Sequence, residues 1–302
     1  MRLGVVGWPL DHTFSPAMQN AALDACGLTD WRYDAVPVPP DQLDVVWPEL
    51  VAARPDVRGF NITVPHKRAA LRLCTRVDAV ARAVGAINTV VIERSNDRLE
   101  IVGYNTDVTG VAGALGEAGI SAAGNSALVF GAGGAARAVV FALLGLGVRR
   151  IIVVARRLDR AVELIHDLAL NASAVSARGE RAPLTAVALD DATRVQDELL
   201  ATQLVCNATT LGMRDAKASV VRPELLAPGT TLLDCVYFPG RETALVAGGR
   251  ARGLVVADGL ALLLHQGARS FDLWTGRAAP LAAMRAALER ANARSGGDAP
   301  AP

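Results

Sequence analysis

Several features are scarce in this chain of 302 residues, and each absence excludes a class of protein. The four cysteines, Cys26, Cys74, Cys206 and Cys235, lie far apart without a C-x-x-C pair. This spacing excludes a zinc finger or a disulfide scaffold and suits a reducing cytoplasm. A formal net charge of +1 with no basic block argues against nucleic acid or an anionic membrane as a partner. The apolar runs are too short or too interrupted to span a bilayer, and no signal peptide is visible, so the sequence predicts a cytoplasmic protein.

The residues that are present predict an α/β fold. Hydrophobic residues make up 51% of the chain, and strand-like and helix-like runs alternate nearly throughout, as in proteins with parallel sheets. We expect two domains, with the active site in the cleft between them. Residues 1–106 form an α/β domain with a mostly parallel sheet, and residues 107–257 form a Rossmann nucleotide-binding domain. Residues 295–302 are expected to be a disordered tail.

Three local features of the first domain are specific enough to be tested. Ser15 is expected to cap a helix whose first position is Pro16. A strand over Gly59–Thr63 is expected to break at Pro65, which suits a first helical turn, and a helix should follow it. Strands over Asn88–Glu93 and Leu99–Tyr104 predict a hairpin whose turn is Ser95-Asn96-Asp97.

The stretch from Asn61 to Lys67 is the strongest candidate for chemistry in the first domain. It gathers Asn61, Thr63 and Lys67 at the carboxyl end of a strand, where open α/β sheets bind their ligands. A lysine ammonium can both stabilise an alkoxide and donate a proton to it, and Asp107 is a plausible partner. The alternative is a strand-to-helix corner with one surface lysine. Asp107 has a helix cap as its structural alternative, and the two roles are compatible.

The stretch Gly131–Arg137 fits the G-x-G-x-x-A pattern of a dinucleotide site, with a strand before it and a helix after it. Gly131 allows a tight turn, Gly133 lets the backbone approach a pyrophosphate, and Ala136 keeps helix and strand close. The next strand is followed by Arg156, Arg157 and Arg160 where an NAD site would carry an acidic residue. Guanidinium groups pair with phosphate, so NADP is favoured, although Asp159 keeps NAD open.

Neutral hydroxyls and amides surround the proposed lysine in the sequence motifs. They are Thr13, Ser15, Asn61, Thr63, Asn88, Thr89 and Gln266. Such a set suits a small polyhydroxy acid, although each residue taken singly is more often a cap or turn residue. His12 lies near the proposed site without a second histidine at ligand spacing, so no metal site is expected. His66, His166 and His265 are expected to be structural or surface residues.

With these motifs in order, the chain resembles the shikimate dehydrogenase family over nearly its whole length. The matching segments are His12–Asn20, Asn61–Lys67, Gly85–Val90, Gly103–Asp107, Gly131–Arg137, Asn207–Met213 and Asp234–Tyr237, together with Gln266 in the C-terminal part. Several motifs in one order are far more specific than any single one of them.

The resemblance implies NADPH-dependent reduction of 3-dehydroshikimate to shikimate, within aromatic amino-acid biosynthesis. It also implies that the first domain is the substrate-binding domain and that helices over 258–294 return to it. Lys67 and Asp107 would be the catalytic pair. The substrate-binding residues it implies are Thr13 and Ser15 for the carboxylate, Thr63, Asn88, Asp107 and Gln266 for the hydroxyls, and also Asn61 and Tyr237. The cofactor-binding residues would be Gly131, Ala132, Gly133, Gly134, Ala135, Arg156, Arg157, Arg160, Asn207, Ala208, Thr209, Met213, Val236 and Gly259.

Three departures from the family pattern keep related functions open. Thr13 replaces the usual serine, Gln19 replaces a common histidine, and Ala155-Arg156-Arg157 replaces N-R-T. The first change leaves room for a quinate/shikimate dehydrogenase or an aminoshikimate-type paralogue. A non-enzymatic alternative is a paralogue that binds NADP and regulates. The expected partner is a small-molecule substrate, and the expected assembly is a monomer or a homodimer.

Overall fold

The computed structural model describes residues 1–51, 54–95, 98–171 and 183–297. The chain forms two compact units. The first comprises Met1–Thr106 together with the chain from Gln266 onward, and the second comprises Asp107–His265. The C-terminal return expected at residue 258 therefore begins at Gln266, and the residues just before Gln266 belong to the second unit.

The first unit is built on a sheet of six strands. Its elements are β1 (Arg2–Gly7), α1 (Ser15–Ala25), β2 (Arg32–Pro37), α2 (Leu43–Val51), β3 (Val57–Ile62), β4 (Arg76–Val77), α3 (Ala79–Val84), β5 (Thr89–Ser95) and β6 (Arg98–Tyr104). The strand order is β2-β1-β3-β5-β6-β4. Strands β2, β1 and β3 are parallel, β5 is antiparallel to both β3 and β6, and β4 is parallel to β6.

This topology brings four segments of the chain to one edge of the first sheet. The carboxyl ends of β1, β3 and β6 lie at the same edge as the amino end of β5, because β5 alone of these four runs in the opposite direction. The register pairs Asn61 near the end of β3 with Thr89 at the start of β5. The motifs that follow β1, β3 and β6 and precede β5 therefore share one edge.

The second unit is a parallel sheet whose strands are connected through α-helices, except that only a short 3₁₀ helix over Pro223–Leu225 lies between its fourth and fifth strands in chain order. Its elements are α4 (Asp107–Glu117), β7 (Ser126–Phe130), α5 (Gly134–Gly145), β8 (Arg150–Ala155), α6 (Leu158–Asn171), β9 (Leu184–Ala188), α7 (Ala192–Ala201), β10 (Leu204–Asn207), β11 (Thr231–Asp234), α8 (Ala244–Ala251) and β12 (Val256–Ala257). The order β9-β8-β7-β10-β11-β12 is the 3-2-1-4-5-6 order of a Rossmann fold. Helices α9 (Gly259–Thr275) and α10 (Leu281–Gly297) complete the chain.

The short strands of the second unit are apolar because helices cover both faces of the sheet. All five residues of β7 are buried. Alternate side chains enter two separate clusters, with Ala127 and Val129 in one and Leu128 and Phe130 in the other. This burial on both faces accounts for the continuous apolar runs and confirms the α/β class expected from them.

Two helix starts differ from the sequence-based expectation. The N-cap of α1 is Phe14 without a side-chain cap bond, and Ser15 is already helical. The Thr13 Oγ1 accepts the Ser15 N–H at 3.3 Å, so the hydroxyl that serves this start comes from Thr13. After Pro65, which follows a cis peptide bond, the chain forms a 3₁₀ helix over Ala69–Leu73 instead of an α-helix. Pro65 is thus in a turn and not in a first helical turn.

The last helix of the chain is longer than the sequence predicts. Helix α10 continues to Gly297, so the prediction of a disordered tail over 295–302 is wrong for residues 295–297. Within this helix, the Ser295 hydroxyl donates to the Ala291 carbonyl at 3.1 Å. Residues 298–302 and the predicted turn residues Asn96 and Asp97 lie outside the described residues, but β5 and β6 pair antiparallel as the hairpin prediction requires. Within the described ranges, no helix has both the length and the apolarity to cross a membrane.

Candidate active site

The predicted lysine of the first unit lies in a turn that is held by a main-chain hydrogen bond and by the side chain of the preceding histidine. Lys67 is half-buried, and its carbonyl accepts the Ile87 N–H at 2.9 Å, which ties the turn to the segment leading into β5. The preceding residue, His66, is buried and its Nε2 lies 2.7 Å from the Val38 carbonyl oxygen. His66 is therefore a structural residue, as expected, and it helps to place the Lys67 backbone.

Asn88 and Gln266 are brought together although they are distant in the sequence. The Asn88 Nδ2 donates to the Gln266 Oε1 at 3.1 Å, and the Asn88 Oδ1 accepts the Thr106 N–H at 2.7 Å. Both side chains are buried. Two of the predicted substrate-binding residues are thus joined directly, and the second bond connects them to the end of the β6 segment.

Asn61 is also close to this pair, but both ends of its side-chain amide form hydrogen bonds to buried protein groups. Its Oδ1 accepts the Tyr33 hydroxyl at 2.7 Å, and its Nδ2 lies at 3.1 Å from the Asn88 carbonyl oxygen. The same nitrogen donates to Thr89 and to Ser270. A side chain whose oxygen and nitrogen both face protein atoms supports its neighbours.

Thr13, Ser15 and Thr63 follow the carboxyl ends of β1 and β3. Thr13 and Thr63 are half-buried and Ser15 is buried. The Thr63 N–H donates to the Val6 carbonyl at 2.9 Å, so the chain after β3 stays beside β1. Hydroxyl groups are therefore present on both neighbouring loops of this edge.

Asp107 and Tyr237 belong to the second unit. Asp107 is the first residue of α4 and is buried, and an acidic side chain in a first turn favours the helix. Tyr237 follows β11 and is half-buried. Just before Asp107, the Asn105 side chain donates to the Ala86 carbonyl at 2.9 Å, which anchors the chain where the first unit ends.

The glycine loop of the second unit lies at the switch point of the sheet, between β7 and β10. Gly131 has φ +117°, and a Cβ built on it would be 2.7 Å from the Ala208 carbonyl oxygen. Only a glycine accepts both that backbone conformation and that close approach. Gly133 is the N-cap of α5 and makes no side-chain cap bond, and the first N–H groups of a helix are suited to bind an anion. The loop thus fits a dinucleotide phosphate site.

Three arginines were predicted to bind a 2′-phosphate after β8, and the structure separates them. Arg157 is paired with Asp159 at 2.6 Å, and Arg160 is paired with Glu163 at 2.8 Å. Arg156 is exposed, and no described side chain forms an ion pair or hydrogen bond with it. Arg156 is consequently the strongest of the three candidates for a phosphate ligand.

The buried carboxylate of Asp234, the first residue of the Asp234–Tyr237 motif, holds two of the predicted cofactor loops. The Asp234 Oδ1 accepts from the Asn207 Nδ2 at 2.9 Å and from the Val236 N–H at 3.0 Å, and its Oδ2 accepts from Thr243 at 2.6 Å. Burial raises the pKa of Asp234 to about 6, although the three hydrogen bonds oppose that rise. The loops after β10 and β11 therefore share one anchor.

Replacing Asp234 by Asn is expected to remove a pH dependence of stability. A carboxyl whose pKa rises from 3.8 to about 6 on folding stabilises the fold below pH 4 and loses that contribution as the pH rises through 6. The difference amounts to about 3 kcal/mol. Unfolding temperatures of both proteins between pH 4 and 8 measure it, with Asp191→Asn, an exposed cap residue, as the control. Parallel curves for Asp234→Asn and the unchanged protein would contradict the assignment.

The remaining cofactor candidates also pack closely in the second unit. A Cβ on Gly259 would lie 2.5 Å from the Val236 carbonyl oxygen and 2.7 Å from the Tyr237 nitrogen. The Asn207 Oδ1 accepts the Thr209 N–H at 3.1 Å, so Asn207 shapes the turn that contains Ala208 and Thr209. Met213 is exposed on the same loop. The loops after β7, β10 and β11 and the start of α9 thus form one surface of the second unit.

A metal centre finds no support in the described part of the chain. Across residues 1–51, 54–95, 98–171 and 183–297, no group of three or more His, Cys, Asp and Glu side chains could hold a metal ion. His12 and His166 are exposed, and the Nε2 of His265 lies 2.8 Å from Glu117.

Sequence reasoning missed the supporting residues of both units. They are Tyr33, Thr106 and Ser270 in the first unit and Asp234 and Thr243 in the second. Thr106 and Asp234 lie within the matching motifs, but no supporting role was predicted for them. The spacing of Gln266 and Ser270, one helical turn apart in α9, is a signal that could have indicated one of them. For the other residues, only contacts between distant parts of the chain reveal the role.

Comparison with known proteins gives consistent matches. The family model for the shikimate dehydrogenase substrate binding domain matches residues 5–90, and the model for the shikimate 5′-dehydrogenase C-terminal domain matches residues 259–289. A shikimate dehydrogenase (NADP(+)) of Moorella thermoacetica is 42% identical over 299 residues, which are 98% of this chain and 96% of the relative.

Two solved structures are similar along almost their whole length. The shikimate 5-dehydrogenase of Thermus thermophilus, in complex with NADP(H) and shikimate, has a TM-score of 0.79 at 35% identity, covering 96% of this chain and 99% of that one. The quinate dehydrogenase of Corynebacterium glutamicum, in complex with NAD, has a TM-score of 0.82 at 29% identity, also covering 96% and 99%. With 42% identity to a curated relative along nearly the whole of both chains, this protein belongs to the shikimate dehydrogenase family.

Proposed function

We propose that the protein catalyses the reversible NADPH-dependent reduction of 3-dehydroshikimate to shikimate, a step of aromatic amino-acid biosynthesis. The observation that carries the proposal is the near-full-length similarity to a relative named shikimate dehydrogenase (NADP(+)). Two features of the chain support it. The lysine motif and its hydroxyl and amide neighbours share one edge of the first sheet, and a glycine loop lies at the switch point of the second.

The proposed substrate contacts come from the loops after β1 and β3, which carry hydroxyl groups, and from the hydrogen-bonded pair of Asn88 and Gln266. Thr13 and Ser15 would bind the carboxylate, and Thr63, Asn88, Asp107 and Gln266 would bind the ring hydroxyls, with Tyr237 near both ligands. Asn61 is better proposed as a support, because its side-chain oxygen already bonds to the Tyr33 hydroxyl and its nitrogen to the Asn88 carbonyl. Buried polar groups of this kind favour substrates that can satisfy them and discriminate against those that cannot.

Lys67 and Asp107 are the proposed acid–base pair. When bound, the nicotinamide cofactor supplies the hydride. The Lys67 ammonium stabilises the negative charge that develops on the carbonyl oxygen and donates the proton that completes the hydroxyl. The main-chain bond from Ile87 and the buried His66 support this role, since they hold the backbone from which Lys67 extends.

The proposed cofactor is NADP, with Arg156 binding the 2′-phosphate. Arg156→Ala is expected to raise the Kd for NADP at least about ten-fold while changing that for NAD little, because a charge-assisted contact to phosphate is lost. Titration of both dinucleotides against each variant measures this. Arg157→Ala is the matched control, since its guanidinium already pairs with Asp159 and is 65% exposed. Equal losses for NADP and NAD would place the phosphate contact elsewhere.

A dehydrogenase assay that crosses shikimate and quinate with NADP and NAD tests the proposed activity. The highest kcat/KM is expected for shikimate with NADP. The solved quinate dehydrogenase has the same fold, and Thr13 adds a methyl group beside the proposed carboxylate site, so quinate with NAD is the competing outcome. Absence of turnover with NADP still bound would instead favour a regulatory paralogue. A cytoplasmic location is part of the proposal, and four cysteines outside any disulfide suit that compartment.

A further inference from the structure

Next to the Asn88 and Gln266 side chains, the first unit contains three buried hydroxyl groups, which we call the hydroxyl cluster. It consists of Thr89, Thr106 and Ser270, whose exposed fractions are 0%, 2% and 0%. The Oγ atom of Ser270 lies 2.8 Å from that of Thr89 and 3.0 Å from that of Thr106, and the two threonine oxygens are 3.2 Å apart. Buried hydroxyls in mutual contact are satisfied only as a set, so losing one affects the others.

The hydrogen bonds of the Asn88 and Gln266 side chains determine the orientation of their two amide groups. The Thr106 N–H donates to the Asn88 side chain at 2.7 Å, and only the amide oxygen can accept it. The Asn88 nitrogen is therefore the donor to Gln266 at 3.1 Å, which assigns the Gln266 oxygen to that contact. The other end of the Gln266 amide is its NH₂ group, and it can meet any further atom only as a donor.

Ser270 connects the helix that carries Gln266 to the rest of this network. It lies one turn after Gln266 in α9 and donates to the Gln266 carbonyl at 3.0 Å. Its oxygen also accepts from the Asn61 Nδ2 at 3.0 Å. Through these bonds and the two threonines, one hydroxyl joins α9 to β3, to β5 and to the segment after β6.

We infer that Ser270 is a positioning residue for substrate recognition. Through the hydroxyl cluster it holds Asn88 and Gln266 in the arrangement in which Gln266 offers an N–H donor to an oxygen of the substrate. Ser270 itself is fully buried and does not touch the substrate. The inference rests on the proposed function for the identity of that substrate, and it predicts that Gln266 selects ligands with an acceptor oxygen at this point.

The kinetic test is Ser270→Ala, with Ser295→Ala as the matched control. Both serines donate to the carbonyl four residues earlier in a helix, at 3.0 and 3.1 Å, but Ser295 lies outside the cluster. Ser270→Ala is expected to raise the KM for shikimate about ten-fold, with the KM for NADP unchanged, as loss of a hydrogen-bonded arrangement predicts. Ser295→Ala should change neither constant. A rise in both KM values would indicate a general structural defect and overturn the inference.

A double-mutant cycle shows whether Ser270 acts through Gln266. If it does, Ser270→Ala should add little to the KM already raised by Gln266→Ala, because the residue it positions is gone. Additive effects of the two substitutions would contradict the positioning role.

A ligand-free measurement separates this inference from the proposed function. Hydrogen exchange of the Asn88 and Gln266 side-chain amides, followed by NMR and assigned with Asn88→Asp and Gln266→Glu, should be at least about ten-fold faster in Ser270→Ala, because the buried network that protects them is broken. Unchanged exchange would overturn the inference. If the unsubstituted protein fails to turn over shikimate, the proposed function is wrong, and the exchange rates still decide the role of Ser270.

Discussion

Replacing Lys67 by alanine is expected to lower the turnover of shikimate about 10²- to 10⁴-fold, the range that a positioned acid or base contributes. The loss arises because the ammonium is the proposed proton donor in one direction and, once deprotonated, the acceptor in the other. The turn itself should persist, since the bond from the Ile87 N–H to the Lys67 carbonyl and the buried His66 involve no atom of the lysine side chain. NADP affinity should be unchanged, because the glycine loop belongs to the second unit.

Steady-state kinetics and NADP titration of the variant measure these two quantities separately. Lys217, the other lysine of the chain, is exposed and provides the matched control as Lys217→Ala. Added ethylammonium should partly restore turnover to Lys67→Ala and leave Lys217→Ala unaffected, because a small amine can replace a missing acid but not a missing fold. Near-normal turnover without added amine would remove Lys67 from the mechanism.

Gly131→Ala is expected to destabilise the second unit by about 2–5 kcal/mol and to weaken NADP binding at least about 100-fold. The added Cβ would meet the Ala208 carbonyl oxygen at 2.7 Å and its carbon at 2.9 Å, both main-chain atoms, at a residue with φ +117°. Relief requires the loops after β7 and β10 to separate. These loops flank the switch point, where a Rossmann sheet binds its nucleotide.

Gly133→Ala gives a control within the same loop. A Cβ at Gly133 has no heavy neighbour within 4 Å, and φ is −89°, which any residue adopts. The ligand-free protein should therefore unfold at an unchanged temperature, whereas NADP binding should weaken, because the new methyl group lies where the backbone is proposed to approach the pyrophosphate. Thermal unfolding with and without NADP measures both effects. Equal stability of Gly131→Ala and Gly133→Ala would contradict the packing argument.

The fold was predictable because its signals are local. β-Branched and aliphatic runs between glycine turns identified most strands, and a run such as Ala127–Phe130 followed directly by glycines predicts a strand, a phosphate loop and a helix at once. Gly85 ends α3 with φ +71°, as expected of a glycine at a helix C-terminus. Each of these features depends on a few neighbouring residues.

The local errors occurred where competing bonds decide the backbone. Ser15 has the composition of a cap, yet the Thr13 hydroxyl accepts the first N–H, so the helix begins at Ser15 itself. The residues after Pro65 have helical propensity, but the Ala70 N–H donates to the His66 carbonyl while the Lys67 carbonyl is taken by Ile87. The Leu71 N–H donates to the Arg68 carbonyl at 3.3 Å, three residues earlier, and a short 3₁₀ helix results.

The sequence by itself determined the α/β class, the glycine loop and the lysine motif, because spacing and residue type are sufficient for them. Only the tertiary structure decided which side chains support the site. Asn61 and Ser270 are 209 positions apart in the chain and bond at 3.0 Å, and Asp234 acquires its raised pKa only by burial. Of the three candidate arginines after β8, folding leaves Arg157 and Arg160 in ion pairs and Arg156 exposed. Hydrogen bonding and burial of this kind depend on packing between distant segments, which no local pattern encodes.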